Sequence, residues 1–194
     1  MEKEQTIAKE KAKSRRVGRS IARELAQIAL TVALIAVCAW TTVPVFFIPF
    51  TLQTFAVAFA GALLGWKRGT IAVGVYILMG LIGIPVFSGF KAGAAALFGS
   101  TGGYIFGFLF MTVITGLFKL VPVKNKWGRT AIYFGAMVLG LTACYLFGTV
   151  WFMLMYQCTL AYALNACVTP FLIPDFLKLA IASVLCVRIE KYIK

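Results

Sequence analysis

Pro170-Phe171-Leu172-Ile173-Pro174-Asp175-Phe176-Leu177-Lys178 opens an apolar run that reaches about Val187 before Arg188 closes it. Asp175 is the only acidic residue between Glu24 and Glu190, and Lys178 follows it by three positions. On a helix that spacing puts carboxylate and ammonium on one face. Charges set among apolar residues cost free energy unless they are paired or used, so the pair marks a candidate binding site. If Arg188 stands at an interface, the ten residues back to Lys178 cover about 15 Å of helix, close to the middle of a bilayer.

The rest of the chain supplies that bilayer. Of 194 residues, 61% are hydrophobic and 13% charged, and the mean hydropathy is +0.92. Soluble domains carry roughly 25% charged residues. From Ile28 onward the apolar residues form long runs, without the alternation of half-buried strands. The chain reads as an all-α integral membrane protein.

The formal net charge of +13 raises nucleic-acid binding, but its placement argues against it. Eight basic residues (Lys3, Lys9, Lys11, Lys13, Arg15, Arg16, Arg19, Arg23) precede the first apolar run, and most of the others sit in short connectors. This is the pattern of cytoplasmic flanks facing anionic lipid headgroups. With no histidine in the chain, His-based acid–base catalysis, Ser-His nucleophiles and His-ligated metals are excluded. Paired carboxylates are missing too, so an embedded hydrolase or transferase has little to work with. No GxxxxGK[ST] loop occurs, and a pump would need a partner ATPase or an ion gradient. The five cysteines (38, 144, 158, 167 and 186) contain no CxxC and read as inert thiols, with a Cys158–Cys167 bridge left open. Neither a metal nor a bound cofactor is expected.

Working outward, residues 1–20 form a basic tail, either solvated or a surface helix, and 21–194 a single membrane domain. Six spans are expected: 21–43, ending at Pro44; 52–66; 70–82; 101–120; 130–156; and 174–187. The second and third are short for a core of about 30 Å, so irregular backbone must complete their crossing, as membranes tolerate only where it lines a cavity. The segment between Pro44 and Thr51, the glycine-rich 83–99 and the polar 157–174 supply it. With both termini inside, 17 of the 19 basic residues fall on the cytoplasmic side. The exceptions, Lys91 and Lys178, lie with the irregular segments toward the outer half.

There Asp175, placed in the first helical turn after Pro174, would accept ligand N–H groups, aided by the helix dipole. Lys91 or Lys178 would meet a carboxylate or carbonyl, and Gln53 can both donate and accept. Phe87, Tyr104 and Trp151 are candidate apolar walls. Such a pocket suits a small amphipathic molecule. On the first span, Ala22, Ala26, Ala29, Ala33 and Ala36 recur at helical spacing, open both to packing within the chain and to docking of another membrane protein.

Three ordered motifs carry a resemblance: Pro49-Phe50-Thr51-Leu52-Gln53-Thr54; Gly83-Ile84-Pro85-Val86-Phe87-Ser88-Gly89 with Gly99-Ser100-Thr101-Gly102-Gly103-Tyr104-Ile105-Phe106-Gly107-Phe108; and Pro170-Phe171 with Asp175 and Lys178. Over about residues 25–190 the chain resembles the BioY family, the biotin-specific S components of energy-coupling factor (ECF) transporters. The resemblance implies a six-helix S-component fold, with an outer-side cavity capped by irregular loops. It implies capture of biotin by residues including Gln53, Thr54, Phe87, Lys91, Tyr104, Trp151, Asp175 and Lys178. It implies a prokaryotic plasma-membrane protein docked through first-helix alanines, best matched by Ala29 and Ala33 and then Ala26, on an EcfT-type coupling subunit with two cytoplasmic ATPases. ATP is used by those partners only. The chain departs from the family pattern at Phe90, where a glycine pair would continue, at Ser100 in place of a proline, and at Pro174 in place of a glycine. The alternative is a solitary ion-coupled carrier, in which the lone intramembrane acid would relay protons.

Overall fold

The computed structural model describes residues 2–43, 48–123 and 125–193, so residues 44–47 of the first irregular segment and Lys124 of the basic connector lie outside it. The order is α1 (Glu2–Trp40), β1 (Thr42–Val43), β2 (Phe50–Thr51), α2 (Gln53–Leu64), α3 (Trp66–Leu81), a 3-10 turn at Ser88–Phe90, α4 (Ala94–Leu97), α5 (Gly102–Leu117), α6 (Lys126–Tyr156), α7 (Leu160–Cys167) and α8 (Thr169–Ile193). Four described segments are long and apolar enough to cross a membrane: Ser20–Trp40, Gly102–Leu120, Lys126–Tyr156 and Thr169–Tyr192.

Several boundaries differ from expectation, each for a local reason. Of the two readings of the basic tail the structure has the helix, since α1 passes residue 20 without a break; Glu, Lys, Ala and Arg are strong helix formers. At its other end α1 stops at Trp40 rather than Val43. Thr41, Thr42 and Val43 are β-branched and run into Pro44, and the residue before a proline avoids helical ψ. Thr42 and Val43 pair instead, antiparallel, with Thr51 and Phe50. α2 and α3, expected as the second and third spans, meet at Gly65, whose φ of 82° only glycine adopts readily. Lys67 and Arg68 therefore belong to the first turn of α3, not to a connector.

The segment after Tyr156 is not irregular throughout. Thr159 caps α7 by accepting from the Tyr162 amide at 3.4 Å. The last helix begins at Thr169 and carries Pro174 inside it, five residues before the point expected. Pro170 sits in the first turn, where no intrahelical N–H is needed, and Pro174 lies one turn further on, so the loss of ladder bonds stays near the helix end.

α5 lies against α2, α3 and α6, and α8 packs on α2 and α6. Small residues set these distances. A Cβ on Gly107 would stand 3.0 Å from the Cα of Cys144 on α6, so Gly103-x-x-x-Gly107 lets two backbones meet. Two ion pairs gather at one end. Arg68 pairs with Glu24 at 2.8 Å and Arg129 with Glu190 at 2.8 Å. Lys119 donates to the Leu63 carbonyl, and Arg129 also donates to the Lys119 and Val121 carbonyls. The β-ribbon, the 83–99 loops and α7 lie at the start of α2, α5 and α8, the opposite end of those helices, and there a cavity of about 470 Å³ opens.

Candidate functional site

Asp175 and Lys178 are buried, 3% and 8% exposed, and face that cavity. Because α8 starts at Thr169, Asp175 stands in its second turn and gains nothing from free backbone amides, contrary to expectation. Side chains and a carbonyl from other elements satisfy the pair instead. Asp175 Oδ1 accepts from Lys178 Nζ at 2.7 Å and from Thr54 Oγ1 at 3.0 Å, while Oδ2 accepts from the Tyr145 hydroxyl at 2.6 Å. Lys178 also donates to the Thr51 carbonyl at 2.7 Å and stands 3.7 Å over the Phe50 ring.

The remaining valences are specific. A carboxylate has about four lone-pair positions and an ammonium three donors. Among the described residues, three positions on Asp175 are taken, leaving one acceptor site on Oδ2. Among the same residues, two donors of Lys178 are taken by oxygens, leaving one N–H, beside the Phe50 ring, without an oxygen partner. The pair thus presents one acceptor beside one donor, held in place before any ligand arrives. That matches a group with an N–H next to a C=O.

The other expected site residues divide into lining, rim and support. Gln53 is buried and lines the cavity, but its amide is committed: Nε2 donates to the Tyr76 hydroxyl at 2.7 Å, which donates to the Val86 carbonyl at 3.1 Å. Gln53 therefore ties α2 to the loop after α3. Phe87 is 2% exposed, lies edge-on to Tyr76 and covers Gly80, where no side chain would fit. Tyr104 lines the cavity and donates to the Cys167 carbonyl at 3.5 Å. Lys91 lines the cavity and is exposed, a cation at its rim. Trp151 is not on the lining. Its Nε1 donates to the Gly99 carbonyl at 3.0 Å, and its ring packs on Phe98 and Phe106, so it props the loop before α5.

The sequence reading missed Tyr145, Tyr76, Phe50 and Thr51. Phe50 and Thr51 sat inside a quoted motif, whereas nothing around Tyr145 or Tyr76 distinguishes them from packing aromatics. Ile105, Phe108 and Phe171 complete the apolar wall. Cys167 also lines it, and burial pushes its thiol up to about 11. All five cysteines are free, so the 158–167 bridge is not formed. On α1, Ala22, Ala26, Ala29 and Ala33 are exposed along one face, while Ala36 is buried.

The pattern of the BioY family matches residues 6–194. The biotin transporter BioY of Thermotoga maritima is 37% identical over 169 residues, covering 87% of this chain and 96% of that protein. The probable biotin transporter BioY of Pyrococcus horikoshii is 37% identical over 169 residues, covering 87% and 97%. A crystal structure of the S-component for biotin from an ECF-type ABC transporter is similar with a TM-score of 0.80 at 28% identity, covering 89% of this chain and 93% of that one.

Proposed function

The chain belongs to the BioY family, and from that premise we propose that it is the biotin-capturing S component of an ECF-type transporter. The observation that carries the reading is the Asp175–Lys178 pair, with one acceptor and one donor without an oxygen or nitrogen partner among the described residues, facing a largely apolar cavity. Biotin's ureido ring sets an N–H beside a carbonyl oxygen. The N–H meets Asp175 Oδ2 and the oxygen meets the third Lys178 donor. The bicyclic body packs against Phe87, Ile105, Phe108 and Phe171, and the valerate carboxylate reaches the rim, where Lys91 is available. Gln53, Thr54 and Tyr104 hold this arrangement, with Trp151 supporting the loop. A cavity of about 470 Å³ falls within the roughly 300–1,000 Å³ usual for small-molecule sites.

Six helices cross the membrane in this reading, with α2 and α3 as short spans completed by the ribbon and the 83–99 loops. Residues 1–20 are a basic cytoplasmic tail, helical from Glu2 onward, 21–194 belong to one domain, and both termini face the cytoplasm of a prokaryotic cell. Ala26, Ala29 and Ala33, exposed on α1, meet an EcfT-type coupling subunit driven by two cytoplasmic ATPases. A solitary ion-coupled carrier finds less support, because each described hydrogen-bond partner of Asp175 is a donor arranged around an acceptor.

The test is titration of the detergent-purified chain with biotin, followed by uptake into proteoliposomes with and without the coupling module and ATP. Saturable binding and ATP-dependent uptake are expected. A wild-type chain that binds no biotin would sink the reading, and uptake without any ATPase would move it to the carrier.

A further inference from the structure

Phe90 has φ of 59°, a left-handed conformation that a bulky L-residue rarely keeps without external support. The support is visible. Its ring, 62% exposed, stacks on Trp40 at the last turn of α1, with centroids 5.2 Å apart and planes 20° from parallel. Trp40 Nε1 donates to the Pro85 carbonyl at 2.8 Å, and the Thr42 and Ser88 hydroxyls are 3.0 Å apart. Neither Trp40 nor Phe90 lines the cavity. Two exposed aromatics and two hydrogen bonds thus fasten one loop to the end of α1 and the start of β1, outside the binding space.

What they fasten is the residue before Lys91. The loop is anchored independently on both sides, by Phe87 buried over Gly80 and by the Gly93 amide on the Gly80 carbonyl at 2.7 Å. Between them the Phe87 amide donates to the Lys91 carbonyl at 3.0 Å, closing a narrow turn through Gly89 and Phe90. Among the described residues, no hydrogen bond or ion pair engages the Lys91 side chain. Its backbone belongs to that turn, and the Phe90 ring of the same turn is the one stacked on Trp40.

We propose that Trp40 and Phe90 form a positioning clasp that holds Lys91 over the cavity mouth to receive the carboxylate of the ligand tail. The proposal rests on the biotin reading, and its effect belongs to the tail alone. Trp40→Ala should weaken biotin roughly three- to tenfold, the size of one aromatic stack. It should leave biotinamide, whose tail is uncharged, within twofold. Lys91→Ala should show the same selectivity, and adding Trp40→Ala to it should cost nothing more. Trp40→Phe, which keeps a ring to stack, should retain most of the affinity. Equal losses for biotin and biotinamide, or losses from Trp40→Ala and Lys91→Ala that multiply, overturn the proposal.

Amide exchange in the ligand-free protein separates the clasp from the biotin reading. In Trp40→Ala the Phe87 amide should exchange faster, while the Gly93 amide keeps its protection. An unchanged Phe87 amide overturns the clasp even if biotin binds, and a wild type that binds no biotin defeats the biotin reading without touching that measurement.

Discussion

Replacing Asp175 by Asn changes one oxygen to an amide nitrogen, and the surrounding donors dictate which one. Oδ1 faces the Lys178 ammonium and the Thr54 hydroxyl, so the amide oxygen must stay there. The nitrogen then takes the place of Oδ2, where the Tyr145 hydroxyl can rotate from donating to accepting. The protein adapts, but the free acceptor offered to the ligand N–H becomes a donor. Loss of a hydrogen bond to a charged group is worth about 1.5–3 kcal/mol, so biotin should bind roughly 10- to 150-fold more weakly. Meanwhile Lys178, 8% exposed, loses its counter-charge, and stranding a buried charge costs about 3–5 kcal/mol of stability. Asp175→Asn/Lys178→Met should therefore recover the melting temperature of the ligand-free protein without recovering biotin affinity. Calorimetric titration and thermal melts in detergent read the two effects separately. Affinity within threefold of wild type in Asp175→Asn, or restored binding in the double variant, would refute the assignment of the ureido group to this pair.

Gly80→Ala puts a methyl group where the Phe87 ring lies and should drive that ring into the cavity; overpacking costs about 1–3 kcal/mol, and unchanged biotin affinity would remove Phe87 from the wall. Arg129→Leu strands Glu190 at the ionic end, where both side chains are 14–15% exposed, and should lower stability by about 1–3 kcal/mol after allowance for screening. The same variant should leave biotin affinity within twofold, and a larger change would mean the two ends are coupled. Because burial raises the Cys167 thiol to about 11, thiolate is scarce at neutral pH. In a Cys158→Ser background, maleimide labelling should be slow at pH 8, quicken about tenfold per unit toward pH 11, and be slowed by biotin. Rapid labelling at pH 7, insensitive to biotin, would place Cys167 outside the binding space.

Much of this was legible in the chain itself. Long apolar runs, with the basic residues pushed to their ends, leave only a helical membrane protein. Pro44, Pro49 and the glycines after Ile82 show where helices cannot continue. The Asp175–Lys178 pair was legible because helical periodicity brings residues three apart together, and because two charges are conspicuous where almost nothing else is polar.

Partners from other helices were not legible. Tyr145 reaches Asp175 across 30 residues and Tyr76 reaches Gln53 across 23, and no local period reports such distances. Nor did Pro174 announce that its helix had already begun at Thr169, since a proline near a helix end is tolerated on either side of the first turn. Phe90 occupies a glycine's backbone conformation, and Trp40, 50 positions earlier, lies where its ring can stack. The sequence by itself determined that the chain is helical, embedded in lipid and built around one buried charge pair. Only the tertiary structure decided which valences of that pair stay free, because that depends on which faces of apolar helices meet, and small residues such as Gly103 and Gly107 set those contacts through packing rather than polarity.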